Sequence, residues 1–559
     1  MAKKIWMIVL AFVAALFYTV VGPKIKTQDL SFDGSEIIPF IVCFLICAVI
    51  NVLVVIAVQK LDLTIKNEKL KQAVNRLGDT KLLLIVWGVI FVAWLPAYIV
   101  CFPGILSYDI VNQTRDALGV IVDNHHPVLH TFLLRVFMKL GDGVFGSYEA
   151  GLGILALVQM VLLSYALARV VLLLKKYKIP MVIVICTALC SALWFMNACL
   201  SISMIKDTLF SAFLVLFACH FTEIVIEPRQ YIQKKSNFIL LSLIGFLLCA
   251  TRNNGFHIYL FCFAGLILLR IKEIKRIKLY IALVVAIVLP IFAYKIYTGP
   301  VFDAWDIKPG QVREALCAPI QQLKRVDAHR ADMLSEEQNA LMRYYFYDKK
   351  GTDTSVSGHA YEPFTADCSK GVFSSEAYNN DPIAFWKFYL DIGLHFPKDY
   401  VVAFLSNTLG FWYPGQDEFT YVEYYNYPAE WFSVPLERQS LADLKIIDAY
   451  YVNLCTASFW RTTPVINLFF VPGYVAWILI MVMILAWKNF KQYLKVLPVF
   501  LPLIAQFGIM LLSPMASYRY SWPFFLLLPI SFIAVWYSEE QKKLSEEKKE
   551  VAKEAEKQK

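Results

Sequence analysis

The chain alternates between long apolar runs and shorter polar segments. The apolar runs recur at lengths of about 20 residues, which is what a helix needs to cross the hydrocarbon core of a bilayer. We predict about twelve membrane-spanning helices, centred on 5–22, 36–58, 82–101, 150–174, 179–200, 207–226, 237–251, 255–271, 279–297, 464–487, 495–513 and 518–536. The fold class expected from this pattern is an all-α polytopic membrane protein.

The polar segments divide the chain into six parts. These are the first three spans (1–101), a polar loop (102–149), further spans (150–298), a long polar insertion (299–462), the last spans (463–537) and a charged tail (538–559). The insertion is long enough to form a soluble domain of α-rich or mixed structure. Its Cys317 and Cys368 could pair in an oxidising exterior, although the odd third cysteine, Cys455, argues against a dedicated disulfide framework.

Charge predicts the orientation of the chain. The segments 59–81, 175–178, 229–235, 272–278 and 488–495 are basic, and twelve spans place all of them on one side together with Lys3 and Lys4. Because basic loops stay in the cytoplasm, both termini are predicted to be cytoplasmic and the parts 102–149 and 299–462 external. The net charge of +9 is mainly this topological signal, so a nucleic-acid partner is not expected.

The loop 102–149 carries the most informative chemistry. Asp109, Asp123, His125 and His126 bring two carboxylates and two imidazoles to the membrane surface, which suggests acid/base or metal chemistry. The alternative is a hydrated loop whose aspartates cap helices. The residues after Pro127 show the pattern of an interfacial helix, and 109–118 reads as a second short helix that begins at Asp109.

Three cations lie at the predicted outer ends of spans. Lys206, Arg252 and Arg519 are on the side where basic residues are normally scarce. Each alone could be an anchor that reaches the headgroup region, but three at tight turns favour a bound phosphate. A lipid phosphate or pyrophosphate in the outer leaflet is the anion that this position suggests.

The order of the polar motifs resembles the GT-C superfamily of membrane glycosyltransferases, and most closely bacterial membrane proteins of that superfamily. The motifs are Pro103-Gly104 with Ser107-Tyr108-Asp109, His126-Pro127, Lys206-Asp207, Arg252-Asn-Asn-Gly255, Pro319-Ile-Gln-Gln322 with Arg325, Trp412-Tyr-Pro414 and Tyr518-Arg-Tyr520. The resemblance implies a GT-C-like fold and an inverting transfer of sugar from a polyprenyl-phosphate donor to a glycan of the cell envelope. Asp109 matches the position of the catalytic carboxylate. Many members carry two adjacent acidic residues there, so the base could instead be Asp123.

The residues can be given roles in such a transfer. Asp109, with Asp123 or His126, would remove the acceptor proton, while Lys206, Arg252 and Arg519 would hold the donor phosphate. A divalent cation, Mg or Mn, bridging Asp109, Asp123 or His126 to the phosphate is an open alternative, although the spacing fits no fixed metal motif. The expected substrate-binding residues are Tyr108, Asn253, His257 and Trp412.

Two other classes of protein remain open. A transporter or flippase of lipid-linked saccharides also needs outer cations, but it is expected to carry charges at mid-span, which are scarce here. A membrane transferase of acyl or phosphoalcohol groups could use His126 with an aspartate. The movement of a labelled sugar or acyl group off its lipid carrier distinguishes these classes.

Overall fold

The computed structural model describes residues 2–60, 78–107, 109–119, 123–274, 277–346, 361–416, 427–456, 471–487 and 490–557. The chain is about 80% helical. Within the described ranges, the extended contacts are isolated bridges and no strand forms. The predicted all-α class is therefore confirmed.

The α-helices, numbered in chain order, run as follows: α1 Ala2–Leu16, α2 Gly22–Thr27, α3 Ile37–Lys60, α4 Asp79–Val100, α5 Ile110–Leu118, α6 Val128–Phe145, α7 Tyr148–Lys176, α8 Met181–Leu193, α9 Phe195–Ser201, α10 Lys206–Ile226, α11 Pro228–Gln233, α12 Lys235–Thr251, α13 Asn253–Ile274, α14 Ile277–Ile296, α15 Phe302–Ala304, α16 Cys317–Arg330, α17 Glu336–Phe346, α18 Asp367–Gly371, α19 Ser375–Asn380, α20 Pro382–His395, α21 Pro397–Asn407, α22 Lys445–Thr456, α23 Val475–Ala486, α24 Phe490–Val496, α25 Leu501–Leu511 and α26 Tyr518–Lys557.

The protein is a multi-pass membrane protein. In the described part of the chain, eight helical segments are long and apolar enough to cross a bilayer: Lys3–Thr27, Ile37–Val58, Asp79–Val100, Tyr148–Lys176, Lys206–Ile226, Val284–Ala304, Gln492–Leu511 and Tyr518–Tyr537. The pair α8 and α9 is bent by 52° and counts as a ninth if it forms one span. Three further predicted spans contain shorter apolar helices, Lys235–Thr251, Asn253–Leu269 and Pro472–Ala486. The count of twelve stays a prediction, and residues 457–470 near the tenth predicted span lie outside the described residues.

Helix α10 lies at the centre of the bundle. It packs against α7, α12 and α26, and 83% of its apolar stretch is buried inside the protein. Helix α3 is the opposite case, since it is apolar on all sides and only 6% of its stretch is buried. A helix that is apolar all round and has few protein neighbours faces lipid. Lys206 is the first residue of α10, so this central span carries one of the predicted cations at its end.

The loop 102–149 forms the two predicted short helices, α5 and α6. Helix α6 keeps Phe132, Val136 and Leu140 exposed, whereas His130 and Leu134 are buried against the protein. An apolar face that is exposed beside membrane-spanning helices is typical of a helix in the membrane interface.

The described residues of the insertion 299–462 pack into more than one apolar cluster. Residues from Leu316 to Tyr400 contribute to a cluster of their own, centred on side chains such as Ile320, Leu323, Phe385 and Ile392. Further along, Phe432 and Tyr451 pack into the core of the membrane helices. Cys317 and Cys368 are both free thiols, so the disulfide considered above is not formed.

Candidate functional site

The turn at Pro103-Gly104 brings the Asp109 loop against the start of α10. Gly104 has a φ of 146°, and a Cβ on it would lie 2.4 Å from the carbonyl oxygen of Ile202. Only glycine tolerates both the backbone conformation and the close approach. Ile105 then pairs with the chain just before α10, accepting from the Met204 amide and donating to the Ile202 carbonyl, each at 3.1 Å. The loop is thereby held beside Lys206.

Asp109 lies between two cations. Its Oδ2 accepts hydrogen bonds from Lys206 Nζ at 2.9 Å and from an Arg519 guanidinium nitrogen at 3.2 Å. It precedes the first residue of α5, but its side chain does not cap that helix. The capping interpretation therefore does not describe Asp109. Among the described residues its other oxygen, Oδ1, accepts no hydrogen bond.

The charges around Asp109 keep it ionised. Burial alone would raise the pKa of this carboxyl, but Arg519 and Lys206 outweigh burial and hold its pKa well below the usual range. A carboxylate with a very low pKa is a weak base as long as both cations remain on it. Whatever draws Lys206 and Arg519 away from Asp109 makes it a stronger base.

His126 shares Lys206 with Asp109. Its Nδ1 lies 3.2 Å from Lys206 Nζ, and the imidazole is buried. Burial, and then the charge of Lys206, lower the pKa of His126 to about 2, so the ring is neutral. An ammonium group has only donors, so Nδ1 must accept and the ring proton must sit on Nε2. His126 is thus a hydrogen-bond donor through Nε2, which has no partner among the described residues.

Arg252 lies at the turn between α12 and α13 and is held by a second carboxylate. It pairs with Asp207, which is completely buried. Its guanidinium also lies over the ring of Tyr520, 5.1 Å from the centroid, and the guanidinium of Arg519 lies 4.8 Å from the same centroid. Both guanidinium groups therefore lie against the same aromatic ring, whose π electrons attract the two positive charges.

These side chains line one cavity of about 690 Å³. We call its membrane-helix side the floor, defined by Asp109, His126, Lys206, Arg252 and Arg519. The opposite side, the roof, comes from the insertion and is defined by Arg313, Glu314, Asp367 and Lys370. Lys370 contacts Glu314 at 2.7 Å and Asp367 at 2.8 Å. The site is thus a polar chamber lined by residues of both the membrane helices and the insertion.

Backbone contacts attach the roof to the floor. The Ala366 amide donates to the Pro514 carbonyl at 2.7 Å, close before α26, and Thr365 forms a bridge with Met515. On the other side the Asn124 amide donates to the Lys308 carbonyl at 2.8 Å. The sequence did not single out the roof residues, because ordinary charged side chains in a long polar insertion carry no periodic or spacing signal beyond the i, i+3 pair Asp367 and Lys370.

The structure does not bring all predicted residues into the chamber. Asn253 and His257, from the first turn of α13, line it together with the floor residues. Asp123 is not among the lining residues, and its carboxylate accepts from the His125 amide at 2.9 Å. Trp412 packs in a separate cluster with Ile25 and Leu409. Tyr108 lies outside the described residues.

The donor set does not fit a divalent cation. Lys206 Nζ lies within hydrogen-bond distance of both Asp109 and His126, so an ammonium group occupies the position where a bridging ion would need their lone pairs. Within the described ranges, no three His, Cys, Asp or Glu side chains are grouped as metal ligands. The cations available to a bound anion here are side chains.

Comparison with known proteins identifies a family but no activity. The profile of DUF6020, described as a family of unknown function, matches residues 119–550. No curated protein and no solved structure matches the chain.

Proposed function

This chain belongs to the DUF6020 family of unknown function, and we propose that it is a GT-C-type membrane glycosyltransferase. It would transfer a sugar from a polyprenyl-phosphate donor to a cell-envelope glycan at the external face. One observation carries the proposal: a carboxylate, Asp109, lies between Lys206 and Arg519 in a polar chamber at the ends of membrane-spanning helices. A base beside clustered cations is what the transfer from a lipid phosphate requires.

The floor charges support a substrate-triggered base. A donor phosphate would compete with Asp109 for Lys206 and Arg519, because each cation can bond either anion. As the phosphate takes these bonds, the pKa of Asp109 rises toward its usual range and the carboxylate becomes a better proton acceptor. Oδ1, which accepts no hydrogen bond from the described residues, would take the proton of the acceptor hydroxyl as that oxygen forms its bond to the sugar carbon.

The leaving phosphate would gain its stabilisation from the same groups. As the bond between the sugar carbon and the phosphate oxygen breaks, negative charge grows on that oxygen, and fixed donors lower the barrier. Arg519 can supply two parallel bonds and Lys206 a point charge. His126 would add a neutral donor through Nε2–H, a role that differs from the general-base role suggested by its residue type.

The size and edges of the chamber fit an amphiphilic donor. A cavity of about 690 Å³ is within the usual range for small-molecule sites, roughly 300–1,000 Å³. Ile509 and Leu512, at the end of α25, also line it, and Leu512 is largely exposed. An apolar edge at a span end gives a polyprenyl chain a place to remain in lipid while its phosphate reaches the floor.

The proposal is tested with the full-length protein in nanodiscs. Polyprenyl phosphates carrying different radiolabelled sugars are supplied with envelope glycan, and transfer of label to glycan is measured for the parent and for Asp109→Asn. We expect one donor to lose its sugar to glycan with the parent only. In sealed proteoliposomes, label that crosses the bilayer while still on its carrier would instead identify a transporter, and transfer of an acyl group alone would identify another transferase.

A further inference from the structure

A second cavity lies at the opposite end of α10. It has a volume of about 480 Å³ and is lined by faces of α7, α10 and α12 together with the α11 segment. Helix α10 packs against both α7 and α12. Lys206 begins α10 and Glu223 lies 17 residues later, so the charged residues of the two cavities are roughly 25 Å apart along that helix. We call this second cavity the distal groove.

The distal groove has a charged end and an apolar end. On α10 the lining positions are Phe213, Leu216, His220 and Glu223, with Glu227 directly after the helix, and their spacing of three and four residues keeps them on one face. The apolar residues lie toward the middle of the span and the charged ones at its end. An occupant that matches this order has a charged head at headgroup depth and a hydrocarbon part in the bilayer core.

The charges at the head of the distal groove favour an anion. The lining includes three cations, Arg169, Lys176 and Lys234, and two carboxylates, Glu223 and Glu227. Lys176 pairs with both carboxylates, at 2.9 Å from Glu223 and 3.0 Å from Glu227. Arg169 reaches Glu223 only at 4.0 Å, the outer limit of an ion pair, and Lys234 lies exposed at the mouth. An excess of one positive charge remains for a ligand.

The groove is open to lipid on the side of α12. Leu240 and Leu243 line it and are 43% and 52% exposed. Exposed leucines on a helix of the bundle face acyl chains rather than water. Below them, His220 Nδ1 and the Tyr231 hydroxyl are 3.1 Å apart, so these polar groups already satisfy each other and do not require a ligand.

We propose that the distal groove binds one anionic phospholipid. Its phosphodiester would lie between Arg169 and Lys234, and one acyl chain would follow the leucines between α7 and α12. A free phosphate ester carries the same anionic group but would leave the apolar end of the groove empty, so we propose the lipid as the occupant. This site is independent of the chemistry proposed for the chamber.

Native mass spectrometry of the full-length protein in detergent provides the test. The protein is titrated with phosphatidylglycerol, phosphatidylcholine and glycerol phosphate. We expect one saturable phosphatidylglycerol, weaker binding of the zwitterionic lipid, and no adduct with glycerol phosphate. The variant Arg169→Gln/Lys234→Gln should weaken phosphatidylglycerol binding roughly tenfold or more, because it removes two charge-assisted contacts.

A matched control uses the neighbouring lysine. Lys235→Gln removes the same charge one residue away, but Lys235 does not line the groove, so binding should be unchanged. Leu243→Trp should reduce binding by filling the apolar end, whereas Ile239→Trp, on an exposed position outside the groove, should not. Equal weakening by Lys234→Gln and Lys235→Gln, equal affinity for phosphatidylcholine, or tight binding of glycerol phosphate would each overturn the proposal.

Discussion

The floor and the roof of the chamber are built from the same kinds of charged residue but differ in how those charges are held. On the floor, Arg252 and Arg519 have side chains that are only 11% exposed. On the roof, Lys370 is as little exposed, at 9%, but its carboxylate partners Asp367 and Glu314 are 47% and 34% exposed, whereas Asp207, the partner of Arg252, is fully buried. Charges held away from water interact strongly, whereas hydrated ones are screened and contribute little.

The charge balance of the two sides differs as well. The floor cations Lys206, Arg252 and Arg519 face Asp109 and the buried Asp207, which leaves one positive charge in excess. The roof cations Arg313 and Lys370 are balanced by Glu314 and Asp367. The excess positive charge therefore favours an anion at the floor, whereas the balanced roof charges favour an uncharged partner such as a hydroxyl-rich glycan. Each prediction below tests this division.

The largest effect is expected from Asp109→Asn. The amide keeps the shape of the side chain but cannot accept a proton, so transfer should fall by about 10²–10⁴-fold with little change in the amount of folded protein. Turnover of the labelled donor measures this loss. Asp123→Asn is the matched control, since its carboxylate accepts from the His125 amide and does not line the chamber. The reverse result, with Asp123→Asn inactive and Asp109→Asn active, would move the base to Asp123.

Substituting Arg252, the partner of Asp207, should lower the stability of the fold more than any substitution on the roof. Arg252→Leu leaves a completely buried carboxylate without its cation, which costs about 3–5 kcal/mol. We expect a clear fall in melting temperature and in yield of monodisperse protein. Lys370→Leu on the roof removes a cation from carboxylates that water can reach, so its melting temperature should change much less. Similar losses for both variants would contradict the contrast between floor and roof.

Arg519→Lys should separate phosphate binding from anchoring. Lysine keeps the charge but loses the planar, two-pronged donor, so donor use should fall about ten- to hundredfold, a loss of roughly 1.5–3 kcal/mol. The concentration dependence on the polyprenyl-phosphate sugar measures it, with melting temperature as the control. If the dependence on donor concentration is unchanged, Arg519 is an interfacial anchor and does not bind the donor phosphate.

Acid should destabilise the folded protein through two buried imidazoles, His126 of the floor and His130 of α6. Burial lowers the pKa of His126 to about 2 and that of His130 to about 4, so both rings stay neutral in the folded protein while the unfolded chain takes up protons below pH 6.5. With respect to these two rings, the folded protein is therefore most stable above pH 6.5. As the pH decreases below 6.5, the free energy of unfolding decreases by about 1.4 kcal/mol per pH unit for each ring. For His130 the fall continues to about pH 4, and for His126 to about pH 2.

Thermal unfolding in detergent between pH 7.5 and 5 measures this effect. His126→Gln and His130→Gln should each flatten the pH dependence. Asp109 does not contribute in this window, because its pKa is lowered and its stabilisation is lost only at more acidic pH. A melting temperature that is equally pH-dependent in all three proteins would show that other groups are responsible.

The smallest effect is expected on the roof. Asp367→Asn removes one hydrated carboxylate from a balanced cluster, so donor dependence should change by less than about threefold, in keeping with the small contribution of exposed ion pairs. Glycan dependence should change more than donor dependence if the roof contacts the acceptor. A larger change in donor dependence than in glycan dependence would show that the phosphate also reaches the roof.

Part of this site could be predicted from the residues alone. Asp109, Lys206, Arg252 and Arg519 stood out because charges at the ends of apolar runs are costly unless they have a use or a partner. The position of a charge along the chain identifies the residue but not the side chain with which it pairs. It could not say that Arg252 pairs with Asp207 while Lys206 pairs with Asp109, because adjacent residues at the start of α10 point to different neighbours.

The amino-acid sequence by itself determined that this is an all-α, multi-pass membrane protein, because the length of an apolar run needed to cross a bilayer is a local property. It also determined which polar residues lie at the ends of those runs. Which of them meet depends on the tertiary structure, which places Trp412 in another cluster and brings Lys370 and Asp367 into the same cavity as Asp109. Such encounters depend on the packing of segments hundreds of residues apart, and no local pattern encodes them.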